Sequence, residues 1–107
     1  MKKWFVLYTK PNQELKVARH LEEAGISSYC PIISIIKQYS DRKKKIIKPL
    51  ISSYVFVYIE EGKRNDVFSV FGIVRYIFWL GKPAIVRDSE IERMKKYLNG
   101  VYQSVSL

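Results

Sequence analysis

Six consecutive aromatic and β-branched residues, Tyr54-Val55-Phe56-Val57-Tyr58-Ile59, fit only a strand of a sheet that is covered on both sides. Side chains alternate along a strand, so Tyr54, Phe56 and Tyr58 share one face and Val55, Val57 and Ile59 the other. Each face needs its own cover, and the rest of the chain must supply it. Trp4-Phe5-Val6-Leu7-Tyr8 reads as a second buried strand, with Trp4, Val6 and Tyr8 on one face. Between the two lies a helical repeat over Glu14 to Ala24, whose inward stripe is Val17, Ala18, Leu21 and Ala24, ended by Gly25. Ile26 to Tyr29 reads as a connector.

Ile32 to Tyr39 and Lys44 to Lys48 are a strand pair around the turn chemistry of Ser40-Asp41-Arg42-Lys43. After the central strand, Arg64 to Phe71 reads as a short helix ended by Gly72, and Ile73 to Leu80 as a strand closed by Gly81-Lys82-Pro83. Ser89-x-x-Glu92 after Asp88 is a capping box for a last helix, with Ile91, Met94 and Leu98 on one face and Gly100 at its end. The order β-α-β-β-β-α-β-α, with strands joined by tight turns, predicts an α+β fold, an antiparallel β-sheet with flanking helices. Three helical segments leave part of the apolar sheet bare, and such a groove accepts a partner's helix.

The 107 residues suit one domain, expected over residues 1–100, with 101–107 reading as the start of a linker. Nineteen Lys and Arg against ten Asp and Glu leave a net charge of +9, which favours a polyanionic partner, above all nucleic acid. Cys30 is the single cysteine and His20 the single histidine, so neither an internal disulfide nor a zinc cage can form, and no metal or cofactor is expected. No apolar run approaches the ~18 residues of a membrane helix, and Lys10 cuts short the apolar start of the chain. A cytoplasmic protein with no membrane contact is the expectation.

Lys37, Arg42, Lys43, Lys44, Lys45 and Lys48 crowd the hairpin, opposed only by Asp41. Lysines protect sheet edges, but four consecutive cations at a loop tip repel one another, and phosphate neutralisation is the better explanation. Lys16, Arg19, His20 and Glu23 share the outer face of the first helix, with Lys10 and Gln13 leading in. A polar outer face is ordinary for an amphipathic helix; Gln13, Arg19 and His20 are also side chains able to bond base edges. No glycine-rich phosphate loop, H-E-x-x-H, G-x-S-x-G or paired carboxylate motif is present, and His20 has no partner acid or nucleophile at a useful spacing. A binding protein is therefore expected, not an enzyme. An RNA-binding module of the RRM type is an alternative, although Ser53 to Ile59 lacks the glycines of the RNP1 pattern; a small basic toxin-type ribonuclease is another, for which clustered acid-base residues are missing.

Four segments in order resemble the N-terminal domain of the NusG transcription-factor family, over residues 3–98. They are Trp4-Phe5-Val6-Leu7-Tyr8-Thr9-Lys10, Pro49-Leu50-Ile51-Ser52-Ser53-Tyr54-Val55-Phe56-Val57, Gly72-Ile73-Val74-Arg75-Tyr76-Ile77 and Gly81-Lys82-Pro83-Ala84-Ile85-Val86. The chain looks closest to the specialised RfaH-like bacterial paralogues. The resemblance implies a ferredoxin-like, RNP-like arrangement and a domain that rides on RNA polymerase during elongation, suppressing pausing and termination. It implies that Val6, Tyr8, Ile51, Tyr54, Phe56, Leu80 and Ile91 build a groove for the clamp helices of the largest subunit. It further implies that Lys63, Arg64, Asn65 and Asp66 meet the opposing gate loop. Lys10, Gln13, Lys16, Arg19 and His20 would contact the non-template DNA strand, with Lys37, Arg42, Lys43, Lys44 and Lys45 towards upstream duplex DNA. Ile51-Ser52 replaces the family's usual Phe-Pro, and the gate-loop segment lacks the hydroxyl-rich run of RfaH-like members. Family members normally continue into a KOW domain that recruits the ribosome or a termination factor; it is absent from this chain.

Overall fold

The computed structural model describes residues 1–98; the expected helix end at Gly100 and the linker 101–107 lie outside them, as does the side chain of Leu98. The elements run β1 (Lys2–Thr9), α1 (Glu14–Glu23), β2 (Ser27–Tyr29), β3 (Ile32–Gln38), β4 (Lys43–Pro49), β5 (Tyr54–Glu60), a 3-10 segment (Glu61–Ser69), β6 (Ile73–Tyr76), β7 (Phe78–Trp79), β8 (Lys82–Pro83), β9 (Ile85–Val86) and α2 (Asp88–Leu98). This is an α+β fold whose main sheet is antiparallel throughout.

At the centre of the five-stranded sheet β1 pairs with β5, setting Phe5 opposite Val57 and Tyr8 opposite Tyr54. β2 borders β5 on one side. On the far side of β1, β6 pairs with its C-terminal end and β9 with its N-terminal end. β3 and β4 form a separate two-stranded sheet, and β7 and β8 another.

Both faces of β5 are covered, by different elements. On one, Val17, Ala18 and Leu21 of α1, with Val67 and Val70 of the 3-10 segment and its exit, pack on Phe5, Leu7, Val55 and Val57. On the other, Ile91 of α2 joins Val6, Tyr29 and Phe56 in a second, smaller core. Each fully buried aliphatic or aromatic side chain contributes about 1.5–3 kcal/mol, so both cores matter to a domain of this size.

Several sequence expectations are corrected. The Ile26–Tyr29 connector contains an edge strand, β2, whose Ser27-Ser28 carries no strand propensity and is held by pairing with Tyr58 and Val57. Ala24 is exposed, because it caps α1 instead of continuing its inner stripe. Ile26 N–H donates to Leu21 O and Gly25 N–H to Glu22 O, the paired bonds that close a helix at a glycine with φ +83°.

The Arg64–Phe71 helix begins earlier and is 3-10 rather than α. The strand expected over Ile73–Leu80 breaks at Ile77, and the chain then reverses through Leu80 and Gly81 at φ +52° and +78°. Successive positive φ values suit a tight hairpin turn, and they create β7–β8 where one strand was expected. Finally, α2 begins at Asp88, and Ile91 N–H donates to Arg87 O, so Ser89 lies inside the first turn rather than at the cap.

Candidate interface surfaces

Ile91 of α2 is buried against the second sheet face, where Trp4, Ile51, Tyr54 and Met94 pack around it half-buried. Phe56 is 5% exposed and Ile91 fully buried, and Val6 is sealed beside them, so these three expected groove residues support the surface from beneath. Tyr8, Ile51 and Tyr54 remain half-buried, the last two packed against this cluster. Arg75 lies 5.4 Å from the Tyr8 ring, and Lys95 of α2 covers Trp4 and Tyr29 at 5.7 and 5.4 Å.

The apolar surface continues through half-buried Ile77, whose N–H donates to Val6 O, into the β7–β8 hairpin. There Leu80 is 85% and Trp79 71% exposed, with Phe78 also open, and Ile85 of β9 is open nearby. Leu80 was expected; Phe78, Trp79 and Ile85 were not. The signal for Phe78 and Trp79 was the aromatic run ending at Gly81, which reads equally well as a buried strand. An open depression is lined by Trp79, Leu80, Lys82, Pro83, Ala84 and Ile85.

The expected gate-loop segment lies on the 3-10 turn, with Lys63, Asn65 and Asp66 exposed. Arg64 is half-buried: its guanidinium sits 5.8 Å from Tyr76 and 6.0 Å from Phe5, its Nε donates to Glu61 O, and its carbonyl accepts from the Tyr76 hydroxyl at 2.8 Å. Arg64 thus anchors the segment, and its neighbours are left exposed.

On α1, Lys16 and Arg19 are exposed and His20 and Gln13 half-buried, opposite the stripe of Val17, Ala18 and Leu21. Lys10 is exposed with its ammonium 4.8 Å over the Phe71 ring. The register of the α1 lead-in is set by buried Glu14, whose Oε2 accepts the Ser53 N–H at 2.6 Å and ties the helix start to the chain entering β5. The basic hairpin is fully open: every residue from Ile36 to Lys45 is exposed.

The buried polar groups are poor reagents. Burial, reinforced by the Glu14 charge, pushes the Cys30 thiol up to about 12. Burial pushes the Tyr76 hydroxyl up to about 12 as well, with Arg64 opposing and Asp66 adding. Both stay protonated at neutral pH, so neither offers a nucleophile. Among the described residues no group of three or more His, Cys, Asp or Glu side chains is placed to hold a metal ion, and no helix is long and apolar enough to cross a membrane.

Comparison with known proteins adds two findings. The family model for NusG, described as transcription termination factor nusG, matches residues 2–95. A solved structure described as "Domain interaction in Thermotoga maritima NusG" is similar at 27% sequence identity and a TM-score of 0.54. The match covers 90% of this chain and 56% of that one, so the chain spans little more than half the length of the protein it resembles.

Proposed function

The chain belongs to the NusG family of transcription factors, and from that premise we propose that it binds RNA polymerase through the apolar surface beside α2 and holds DNA with its basic flank. The partner on the polymerase is the pair of clamp helices of the largest subunit, met by Tyr8, Ile51, Tyr54 and Leu80 over the support of Val6, Phe56 and Ile91. Helix-in-groove recognition needs an apolar surface that the protein's own elements leave open. The observation that carries the reading is that Tyr8, Ile51 and Tyr54 are left half-buried on this face while Trp79 and Leu80 stand exposed.

The exposed Lys63, Asn65 and Asp66 are the contact for the gate loop across the cleft. Binding both sides favours the closed clamp, which lowers the population of paused states by differential affinity. Lys10, Gln13, Lys16, Arg19 and His20 meet the non-template strand, and the hairpin cations Lys37, Arg42, Lys43, Lys44 and Lys45 meet upstream duplex. The outcome is suppression of pausing and termination, in the specialised manner of RfaH-like paralogues. Recruitment of the ribosome or a termination factor belongs to a KOW domain.

The test is capture of core RNA polymerase on the immobilised chain. Tyr54→Asp and Trp79→Asp should each weaken capture about tenfold or more while far-ultraviolet circular dichroism is unchanged, because a desolvated carboxylate in an apolar contact costs more than 1.4 kcal/mol. Full capture by the double variant would sink the reading. Phe56→Asp is uninformative, since it places a charge in the core.

A further inference from the structure

We propose that the β3–β4 hairpin is a duplex-DNA ribbon that lies in the major groove, its two faces reaching the phosphates of opposite strands. This rests on the reading that the hairpin meets DNA, and it specifies the form of nucleic acid and the manner of grip.

Lys37 stands directly opposite Lys44, Gln38 opposite Lys43, Ile36 opposite Lys45 and Ile33 opposite Lys48. Because directly paired residues share a face and successive pairs alternate, Lys37, Lys44 and Lys48 lie on one face and Lys43 and Lys45 on the other. The sequence presents one run of cations; the fold divides it between two sides. Like charges directly opposed weaken a strand pair. Among the described residues, no hairpin cation lies within ion-pair distance of a carboxylate. The repulsion is left for an external anion to relieve.

A ribbon laid flat along one strand of phosphates uses the cations of one face and leaves the other pointing away. A ribbon inside a groove uses both. The β3 and β4 backbones run about 4.8 Å apart, and the B-DNA major groove, about 12 Å wide, admits a two-stranded β-ribbon with its side chains. The hairpin is free to enter, since its strands pair only with each other and it is exposed from Ile36 to Lys45. The deep, narrow major groove of duplex RNA excludes the same ribbon.

The test is fluorescence anisotropy of the chain with a short mixed-sequence DNA duplex across a salt series. Lys37→Ser with Lys44→Ser, and separately Lys43→Ser with Lys45→Ser, should each lower the slope of log affinity against log salt by about 1.8, two phosphate contacts at about 0.9 apiece. Lys96→Ser on α2 should leave the slope unchanged. The matching RNA duplex should bind more weakly, as should DNA whose major groove is filled by glucosylated hydroxymethylcytosine. A slope that responds to only one face, equal binding of duplex RNA, or equally good competition by polyglutamate overturns the ribbon. None of these measurements involves polymerase, so failure here leaves polymerase capture standing, and loss of capture leaves these slopes intact.

Discussion

Gly72 shows how much one missing carbon can decide. Its φ is +102°, and a Cβ there would stand 3.0 Å from Val17 Cγ2 and 3.3 Å from Gln13 Cβ. Its carbonyl accepts the Lys10 N–H, so the glycine joins the start of β6 to the lead-in of α1. Gly72→Ala should therefore cost about 1–3 kcal/mol in urea unfolding, from overpacking plus left-handed strain. Gly62→Ala, with nothing within 4 Å and no positive φ, should stay within about 0.5 kcal/mol. The sequence marks Gly72 as a terminator; its close approach to Val17 is a tertiary fact that no local pattern carries. The raised Cys30 and Tyr76 groups act differently. The folded chain keeps protons that the unfolded chain gives up near their ordinary values of 9.0 and 10.0. Their contribution to stability is full below about pH 9 and lost as the pH rises towards 12. Tyr76→Phe should flatten that alkaline decline and cost about 1 kcal/mol at neutral pH, for the lost bond to Arg64 O.

Elements whose period coincides with their burial were legible: β1 and β5 alternate, α1 repeats by turns, and the β3–β4 hairpin announces its tip. β2 and the β7–β8 hairpin were not, and for opposite reasons. Ser27-Ser28 has the composition of a loop but is made a strand by its neighbour β5, whereas Phe78-Trp79-Leu80 has the composition of a core strand but turns outward. The turn itself is strained, because Leu80 occupies φ +52°, where a branched side chain crowds its own backbone. Leu80→Asn gives the Asn-Gly pair that tight hairpins favour, and should raise stability by about 1 kcal/mol in urea unfolding. The same variant removes the most exposed apolar side chain of the hairpin and should weaken polymerase capture. Opposite signs in the two measurements identify a residue retained for a contact outside the chain, whereas unchanged capture would make Leu80 a neutral surface position.

Alternation along β1 and β5 separates two faces correctly, yet it treats Val6 and Tyr8, or Phe56 and Tyr54, as equivalent. Tertiary packing distinguishes them, by burying the first of each pair with Ile91 and Tyr29 and leaving the second half-buried. No local pattern along the strands carries that difference, which is why the candidate surface was half legible. The resulting molecule is uneven in stability. β1 and β5 are held between two cores, whereas the β3–β4 pair reaches the first core through Ile32 at its base and beyond it has only itself, with repulsion across Lys37 and Lys44. Local opening free energy follows such differences in burial. In native-state hydrogen exchange the amides of Phe5, Leu7, Val55 and Val57 should be slowest and report global unfolding, while those from Ile36 to Lys45 exchange orders of magnitude faster. Adding a DNA duplex should slow the hairpin amides selectively, because phosphates on both faces relieve the repulsion that opens it. A general slowing that leaves the ratio between hairpin and centre unchanged would mean that DNA stabilises the whole fold without seating in the ribbon. Hairpin protection that vanishes on raising salt, with the centre unaffected, is the pattern the divided cations require.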